Sequence, residues 1–112
     1  MMTIKNRVQL IGNLGATPEI KELDNGNKMA RFTVATSEYY TNKKGEKVSE
    51  TQWHNIVIWG KLAGIAEKFL EKGSQVVIDG KLTTRNYTDK AGAKKYFTEI
   101  VANELLLIDK KQ

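Results

Sequence analysis

Apolar and polar residues alternate along most of this chain, which is the pattern of half-buried β-strands. Residues 7–13 and 19–23 form two short alternating runs, separated by Gly15 and Pro18. The segment 24–27, Asp-Asn-Gly-Asn, is a strong turn signal. A longer run over 29–38 then places Ala30, Phe32 and Val34 on one face. The first third of the chain is therefore predicted to be an antiparallel meander.

A polar stretch over 39–51, centred on the lysines of 43–47, precedes a second clear alternation over 52–59. This arrangement predicts a protruding basic hairpin. Successive side chains of a strand point to opposite faces. The residues sharing one face of the second strand are Trp53, Asn55, Val57 and Trp59, and those sharing the other are His54, Ile56 and Ile58.

One segment has helical spacing instead, and Gly73 follows it at a position suited to ending a helix. Its apolar members are Leu62, Ile65, Ala66, Phe69 and Leu70. The spacing predicts a single helix and places Phe69, like Phe32, in the core. Strand character returns over 74–82 and continues towards Tyr87. It breaks at 89–92 and resumes over 96–107, which predicts a second long basic hairpin.

The predicted order is strands, one helix between the third and fourth main strands, and strands again, without a βαβ rhythm. That order is expected for an all-β, five-stranded OB-fold barrel. At 112 residues the chain has room for one core. We therefore assign residues 1–108 to one OB-fold domain and 109–112 to a short C-terminal end.

Composition narrows the function. The chain has 18 Lys and Arg against 13 Asp and Glu, a net charge of +5, which favours a polyanionic partner. There is one histidine and no cysteine, and no carboxylates stand at metal-ligand spacing. We expect no enzymatic activity, metal or cofactor. No signal peptide or membrane-spanning stretch is evident, so we expect a soluble, unexported protein, and a cytoplasmic location fits the absence of cysteine.

Aromatic residues alternate with cations along the predicted strands and hairpins. Binding of single-stranded nucleic acid needs this combination, because rings stack on bases while Lys and Arg neutralise phosphates. Candidate phosphate contacts are Lys43, Lys44, Lys61, Lys72, Arg85, Lys94 and Lys95. Each lysine could alternatively serve only to solubilise a hairpin, so the set carries more weight than any member.

The two tryptophans have two interpretations, because both could instead lie in the core. Asn55 shares their face, whereas Ile56 and Ile58 make the opposite face the better candidate for the barrel interior. We therefore favour exposed rings. His54 has no catalytic partner, and a structural or interface role is favoured for it.

Several blocks in order resemble the bacterial single-stranded DNA-binding protein family (SSB), from Asn6 to about Leu107. They comprise NRVQLIGNLG at 6–15, PE at 18–19, ATSE at 35–38, WHNIVIWGKLA at 53–63, KGSQV at 72–76, DGKL at 79–82 and TR at 84–85. The resemblance implies an OB-fold homotetramer that wraps single-stranded DNA, and a subunit-interface position at His54.

The family's base-stacking positions fall on Tyr40, Trp53, Trp59 and Tyr87. Family members often have Trp where this chain has Tyr40 and Tyr87, and Phe where it has Trp59, and stacking survives these exchanges. The hairpin around 43–47 varies in length within the family, so Tyr39 and Tyr40 remain alternatives for the first position.

Family members usually also carry a flexible linker and an acidic tip that recruits replication and repair enzymes. The sequence given ends at residues 109–112 with neither, so recruitment of this kind is not expected from it. A mobile-element or phage-type short form and a truncation both fit this ending.

The expected function is binding of single-stranded DNA with little sequence specificity, protecting it during replication, recombination and repair. The alternatives are an OB-fold interaction module that has lost DNA binding, an RNA or tRNA binder, and, least favoured, an enzyme.

Overall fold

The strands and the helix follow the predicted order. The computed structural model describes residues 5–108. In that range the chain forms six strands and one helix, and the predicted C-terminal end at 109–112 lies outside it. The elements are β1 (Val8–Leu14), β2 (Glu19–Glu22), β3 (Lys28–Thr41), β4 (Lys47–Trp59), α1 (Lys61–Phe69), β5 (Gln75–Thr88) and β6 (Lys94–Ile108).

Five of these strands close into a barrel, in the order β1, β5, β6, β4 and β3. Closure is made by β1 and β3, where Asn13 lies opposite Ala35 and Leu14 opposite Val34. A Cβ on Gly12 would collide with the carbonyl oxygen of Ala35, so glycine permits this close approach. The short strand β2 pairs with β3 outside the barrel. The predicted all-β OB-fold is confirmed.

The barrel interior is apolar. Its largest fully buried side chains come from β3, β4 and β5 and include Val34, Ile56, Ile58, Val76 and Ile78. Phe32 is buried among them, as the alternation predicts. Burial of these side chains removes apolar surface from water, which is the main favourable contribution to folding.

The helix α1 packs against β3 and β4 with a narrow stripe of Ala63 and Ala66, continued by Leu70 just after its last turn. The prediction that Phe69 belongs to the core is wrong, because its side chain is 57% exposed. Five apolar residues at helical spacing form a wider face than a nine-residue helix buries against this barrel. Ile65 is exposed for the same reason.

The two basic hairpins are confirmed, but their strands run further than the sequence predicts. β3 and β4 stay paired as far as Thr41 opposite Lys47, and β5 and β6 as far as Thr88 opposite Lys94. Main-chain hydrogen bonds extend these ladders past the core, where both faces carry polar residues. The hairpins therefore project as ribbons from the barrel.

An ion pair joins the segment before β1 to β5. The guanidinium of Arg7 lies 2.9 Å from the Asp79 carboxylate, which also accepts a hydrogen bond from Gln9 at 3.0 Å. These donors lower the pKa of Asp79 below its ordinary value of 3.8. The pair therefore adds a side-chain link between two strands that are already neighbours in the barrel.

Helix α1, the one helix in residues 5–108, is too short to cross a bilayer.

Candidate nucleic-acid interface

The outer face of the sheet formed by β3, β4, β6 and β5 brings aromatic and cationic side chains together. Strand alternation and register assign residues to this outer face, because Ile56 and Ile100 point into the core and their successors Val57 and Val101 point away from it. Its aromatic and cationic members are Arg31 and Tyr39 on β3, Lys47, Trp53 and Trp59 on β4, Lys81, Arg85 and Tyr87 on β5, and Lys95 and Phe97 on β6.

The two tryptophans are accessible, with 60% of Trp53 and 49% of Trp59 exposed. The prediction that neither ring belongs to the core is therefore confirmed. Gly15 lies beneath the ring of Trp53, since a Cβ there would approach Cζ3 of the indole to 2.5 Å. The main chain of Gly15 is itself held by a hydrogen bond to Thr33 at 3.1 Å. One edge of the Trp53 ring thus packs against the residue that follows β1, while most of the side chain stays exposed.

The register of the first hairpin separates the two adjacent tyrosines. Tyr39 lies opposite Ser49 and Tyr40 opposite Val48, with no irregularity between them and the Ala35–Trp53 pair. Tyr39 therefore shares the face of the tryptophans, and Tyr40 lies on the opposite face of the ribbon. Both rings are at least half exposed, because this part of the hairpin lies beyond the barrel.

Tyr87 belongs to an open groove of about 320 Å³ on the outer face. The groove is also lined by Arg31, Arg85, Asn86 and Phe97. The guanidinium of Arg85 in this groove already forms an ion pair within the protein. Arg85 is 3.2 Å from the buried carboxylate of Glu99 and lies over the ring of Phe97, 5.6 Å from its centroid. A phosphate contact by Arg85 would be made by a side chain whose position Glu99 fixes.

The predicted lysine contacts are spread more widely than the rings. All six predicted lysines are exposed. Of these six, Lys95 alone lies on the outer face as strand alternation defines it. Its Nζ is 3.9 Å from the carboxylate of Asp89. Lys43 and Lys44 are at the tip of the first hairpin, Lys61 begins α1, Lys72 follows α1 in a turn, and Lys94 begins β6 on the opposite face. The structure therefore brings together Lys95 and Arg85, and leaves the other five around the edges.

His54 lies on the other face of β4, half-buried near the barrel end. Its Nε2 is 3.0 Å from the hydroxyl of Thr36. No group of three or more metal-ligating side chains occurs within 5–108. Its surroundings supply a hydrogen bond and no catalytic partner, so its role at a subunit interface stays a prediction.

Comparison with known proteins gives a family match, a relative and a solved structure. Residues 5–108 match the single-strand binding protein family. The chain belongs to that family. Single-stranded DNA-binding protein 1 of Xylella fastidiosa (strain 9a5c) is 46% identical over 112 residues, which cover 99% of this chain and 82% of the relative. The fold also matches a solved Plasmodium falciparum SSB in complex with ssDNA, with a TM-score of 0.88, 33% identity, and coverage of 97% and 99% of the two chains.

Membership of the SSB family confirms the predicted class of function, which is non-enzymatic binding of single-stranded DNA. The sequence analysis left Tyr39 as an alternative to Tyr40, and it did not name Arg31, Lys81 or Phe97 as site residues. Counting the alternation through the hairpin would have placed Tyr39 on the tryptophan face, and Phe97 could have been recognised by its position two residues after Lys95. Arg31 has no signal in the sequence beyond lying between the core residues Ala30 and Phe32.

Proposed function

We propose that this SSB binds single-stranded DNA along the outer face, with bases stacking on Trp53, Trp59 and Tyr87. Tyr40 extends the stacking surface onto the first hairpin, where Tyr39 offers a ring on the tryptophan face. The observation that carries the proposal is the accessibility of both tryptophans on the face that also bears Tyr87. Phosphates are neutralised by the residues already named, namely Lys43, Lys44, Lys61, Lys72, Arg85, Lys94 and Lys95.

Stacking on these rings is nearly independent of base identity, because every base presents a π-face. Duplex DNA keeps those faces inside the base stack, so it offers the rings little contact. The protein therefore prefers unpaired DNA without reading its sequence. This preference suits protection of single strands during replication, recombination and repair, and we place the protein at the nucleoid, in the cytoplasm.

Tryptophan fluorescence tests the proposal directly, since both tryptophans lie in the interface. Oligo-dT is expected to quench the emission strongly, and matched duplex DNA or RNA only weakly. Quenching by none of the three would favour an interaction module without DNA binding. Quenching by the RNA as strong as by oligo-dT would favour an RNA binder.

We also propose that the protein is a homotetramer. An apolar row crosses β1, β5 and β6, because Ile11 lies opposite Val77 and Val77 opposite Leu106. In the single chain Ile11 and Leu106 are about three-fifths exposed. An exposed apolar patch of this kind favours a protein contact, and a second copy of the chain is the partner that the family resemblance implies.

Light scattering coupled to size exclusion tests the assembly. The unmodified protein should elute with the mass of four chains, and Leu106→Glu should reduce that mass. Ile65→Glu, which makes the same exchange of an exposed apolar residue for a glutamate on α1, serves as the control and should remain a tetramer. The predicted interface role of His54 is tested in the same way by His54→Ala. A tetramer that survives Leu106→Glu would contradict the assignment of the apolar row.

A further inference from the structure

We infer that Arg31 is a phosphate-binding residue that carries the DNA path across β3 towards β2, an inference that rests on the proposed DNA binding. Arg31 is on the outer face, near the start of β3. It lies opposite Glu19 of β2 on one side and opposite Val57 of β4 on the other. No motif of the sequence marks it.

The three arginines of the chain differ in what their guanidinium groups contact. Arg7 is paired with Asp79, and Arg85 with Glu99. Within residues 5–108, Arg31 has no carboxylate within 4.0 Å, and its buried Nε has no hydrogen-bond partner. A guanidinium left without an acceptor is poised for a phosphate, whose oxygens match its planar donors.

Arg31 also joins two open grooves. It lines the groove of about 320 Å³ that contains Tyr87 and Phe97. It equally lines a second groove of about 560 Å³ with Lys21, Met29, Glu19 and Ile20. A strand that stacks a base on Tyr87 can therefore pass its next phosphates over Arg31 into the second groove, where Lys21 supplies another cation.

The position relative to Trp59 supports this path. Met29 lies directly opposite Trp59, so Arg31 is the next residue on the same face of β3. It is thus a diagonal neighbour of Trp59 across the β3–β4 pair and also lines the groove of Tyr87. Phosphates linking bases stacked at these two places would pass close to its guanidinium.

The alternative role for Arg31 is packing, in which its aliphatic stem covers the sheet and its charge is incidental. Arg31→Met keeps most of the stem and removes the charge, whereas Arg31→Lys keeps the charge and removes the planar fork. Lys68→Met is the matched control, because it removes one positive charge from α1, away from the outer face. Lys68 lies over the ring of Phe69 and forms no ion pair with a carboxylate of residues 5–108.

The test is the salt dependence of oligo-dT binding by the full chain. Loss of one phosphate contact should make the slope of log affinity against log salt shallower by about 0.7 in Arg31→Met. Arg31→Lys should keep the slope of the unmodified protein, and Lys68→Met should leave both slope and affinity unchanged. Circular dichroism of each variant verifies that it is folded.

Two negative results have different meanings. If the unmodified protein binds oligo-dT and Arg31→Met binds with the same slope, the inference about Arg31 is overturned while the proposed function stands. In that case packing of the aliphatic stem against the sheet is the role that remains for Arg31. If the unmodified protein does not bind oligo-dT, the proposed function itself fails.

Discussion

The rings of Trp53 and Trp59 are available to a ligand without rearrangement of the core. Their strand neighbours Ile56 and Ile58 fill the barrel from the opposite face and are fully buried. Strand alternation therefore separates the residues that stabilise the fold from those that can bind DNA. Substitutions on one face are expected to leave the other face unaffected.

Replacing Trp53 or Trp59 with alanine should weaken oligo-dT binding by about 1 to 3 kcal/mol, because each removes one stacking surface. Isothermal titration measures the loss, and thermal unfolding should show little change. The matched control is Phe69→Ala, which removes another exposed aromatic ring, on α1 and away from the outer face. Its affinity should equal that of the unmodified protein. Unfolding of either tryptophan variant in the absence of DNA would contradict a surface role.

The sequence predicts whether a residue is buried or exposed when the neighbouring residues continue the same alternation of apolar and polar positions. The exposure of Trp53 follows from simple alternation. Phe69 was misplaced because the buried stripe of α1 depends on how the helix meets β3 and β4, which its own spacing does not reveal. Arg31 could not be recognised, since the inference about it rests on no carboxylate of residues 5–108 lying within 4.0 Å of its guanidinium, and that is a property of tertiary structure.

Three hairpins of the sheet use the same five-residue turn. In each, the first residue donates its N–H to the carbonyl of the fifth, and a glycine at the fourth position donates back to the carbonyl of the first. These glycines have φ between 83° and 86°, which other residues adopt at a cost. The turns begin at Leu23, Asn42 and Asp89, and the glycines are Gly26, Gly45 and Gly92.

The side chains of the first residue reinforce two of these turns. Asn42 Oδ1 accepts hydrogen bonds from the N–H groups of Lys44 and Glu46, and Asp89 Oδ1 accepts from those of Ala91 and Ala93. The sequence predicts the turns correctly, because Asx and Gly residues mark them. The sequence does not predict that the strands continue as far as the turns. Beyond the core neither face of the hairpin is buried, so no alternation of apolar and polar residues marks the strands there.

Gly45→Ala should destabilise the tip of the first hairpin by about 1 to 2 kcal/mol, the usual cost of a left-handed conformation for a residue with a Cβ. The cause is backbone strain alone, because no atom lies within 4 Å of the added Cβ. Amide hydrogen exchange should become faster at residues 41–47. DNA affinity should fall modestly as Lys43 and Lys44 lose their fixed position.

The control for this variant is Gly64→Ala. It also adds a Cβ into open space, but at a helical position of α1 without a positive φ. It should stabilise the helix slightly and leave exchange in the hairpin unchanged. Equal exchange rates at 41–47 in Gly45→Ala and the unmodified protein would contradict the strain argument.

Closure of the whole barrel depends on contacts between residues distant in sequence. The pairing of β1 with β3 and the parallel pairing of β4 with β6 join segments whose patterns alone do not specify a partner. The order of elements and the family resemblance identified the OB-fold, but not the register that aligns Ile11, Val77 and Leu106. Alternation is local, whereas the surfaces that bind DNA or a second subunit are assembled from several strands.

The ion pair between Arg7 and Asp79 makes the stability of the whole molecule depend on pH. The folded state holds the pKa of Asp79 below 3.8, so its carboxylate binds protons less readily there than in the unfolded chain. The stabilisation is therefore fully present above about pH 4 and is lost as the pH falls through the lowered pKa. Asp79→Asn removes the charge and should lower the free energy of unfolding at neutral pH.

Urea unfolding from pH 7 to pH 2 measures this effect, at one protein concentration because subunit association also contributes to stability. The difference in unfolding free energy between the unmodified protein and Asp79→Asn should be constant above about pH 4 and should shrink below it. Asp24→Asn is the control, since Asp24 is an exposed turn residue without an ion pair in the described part of the chain. Its difference from the unmodified protein should stay small over the whole range. A difference for Asp79→Asn that does not vary with pH would mean that Asp79 stabilises the barrel by hydrogen-bond geometry, independently of its charge.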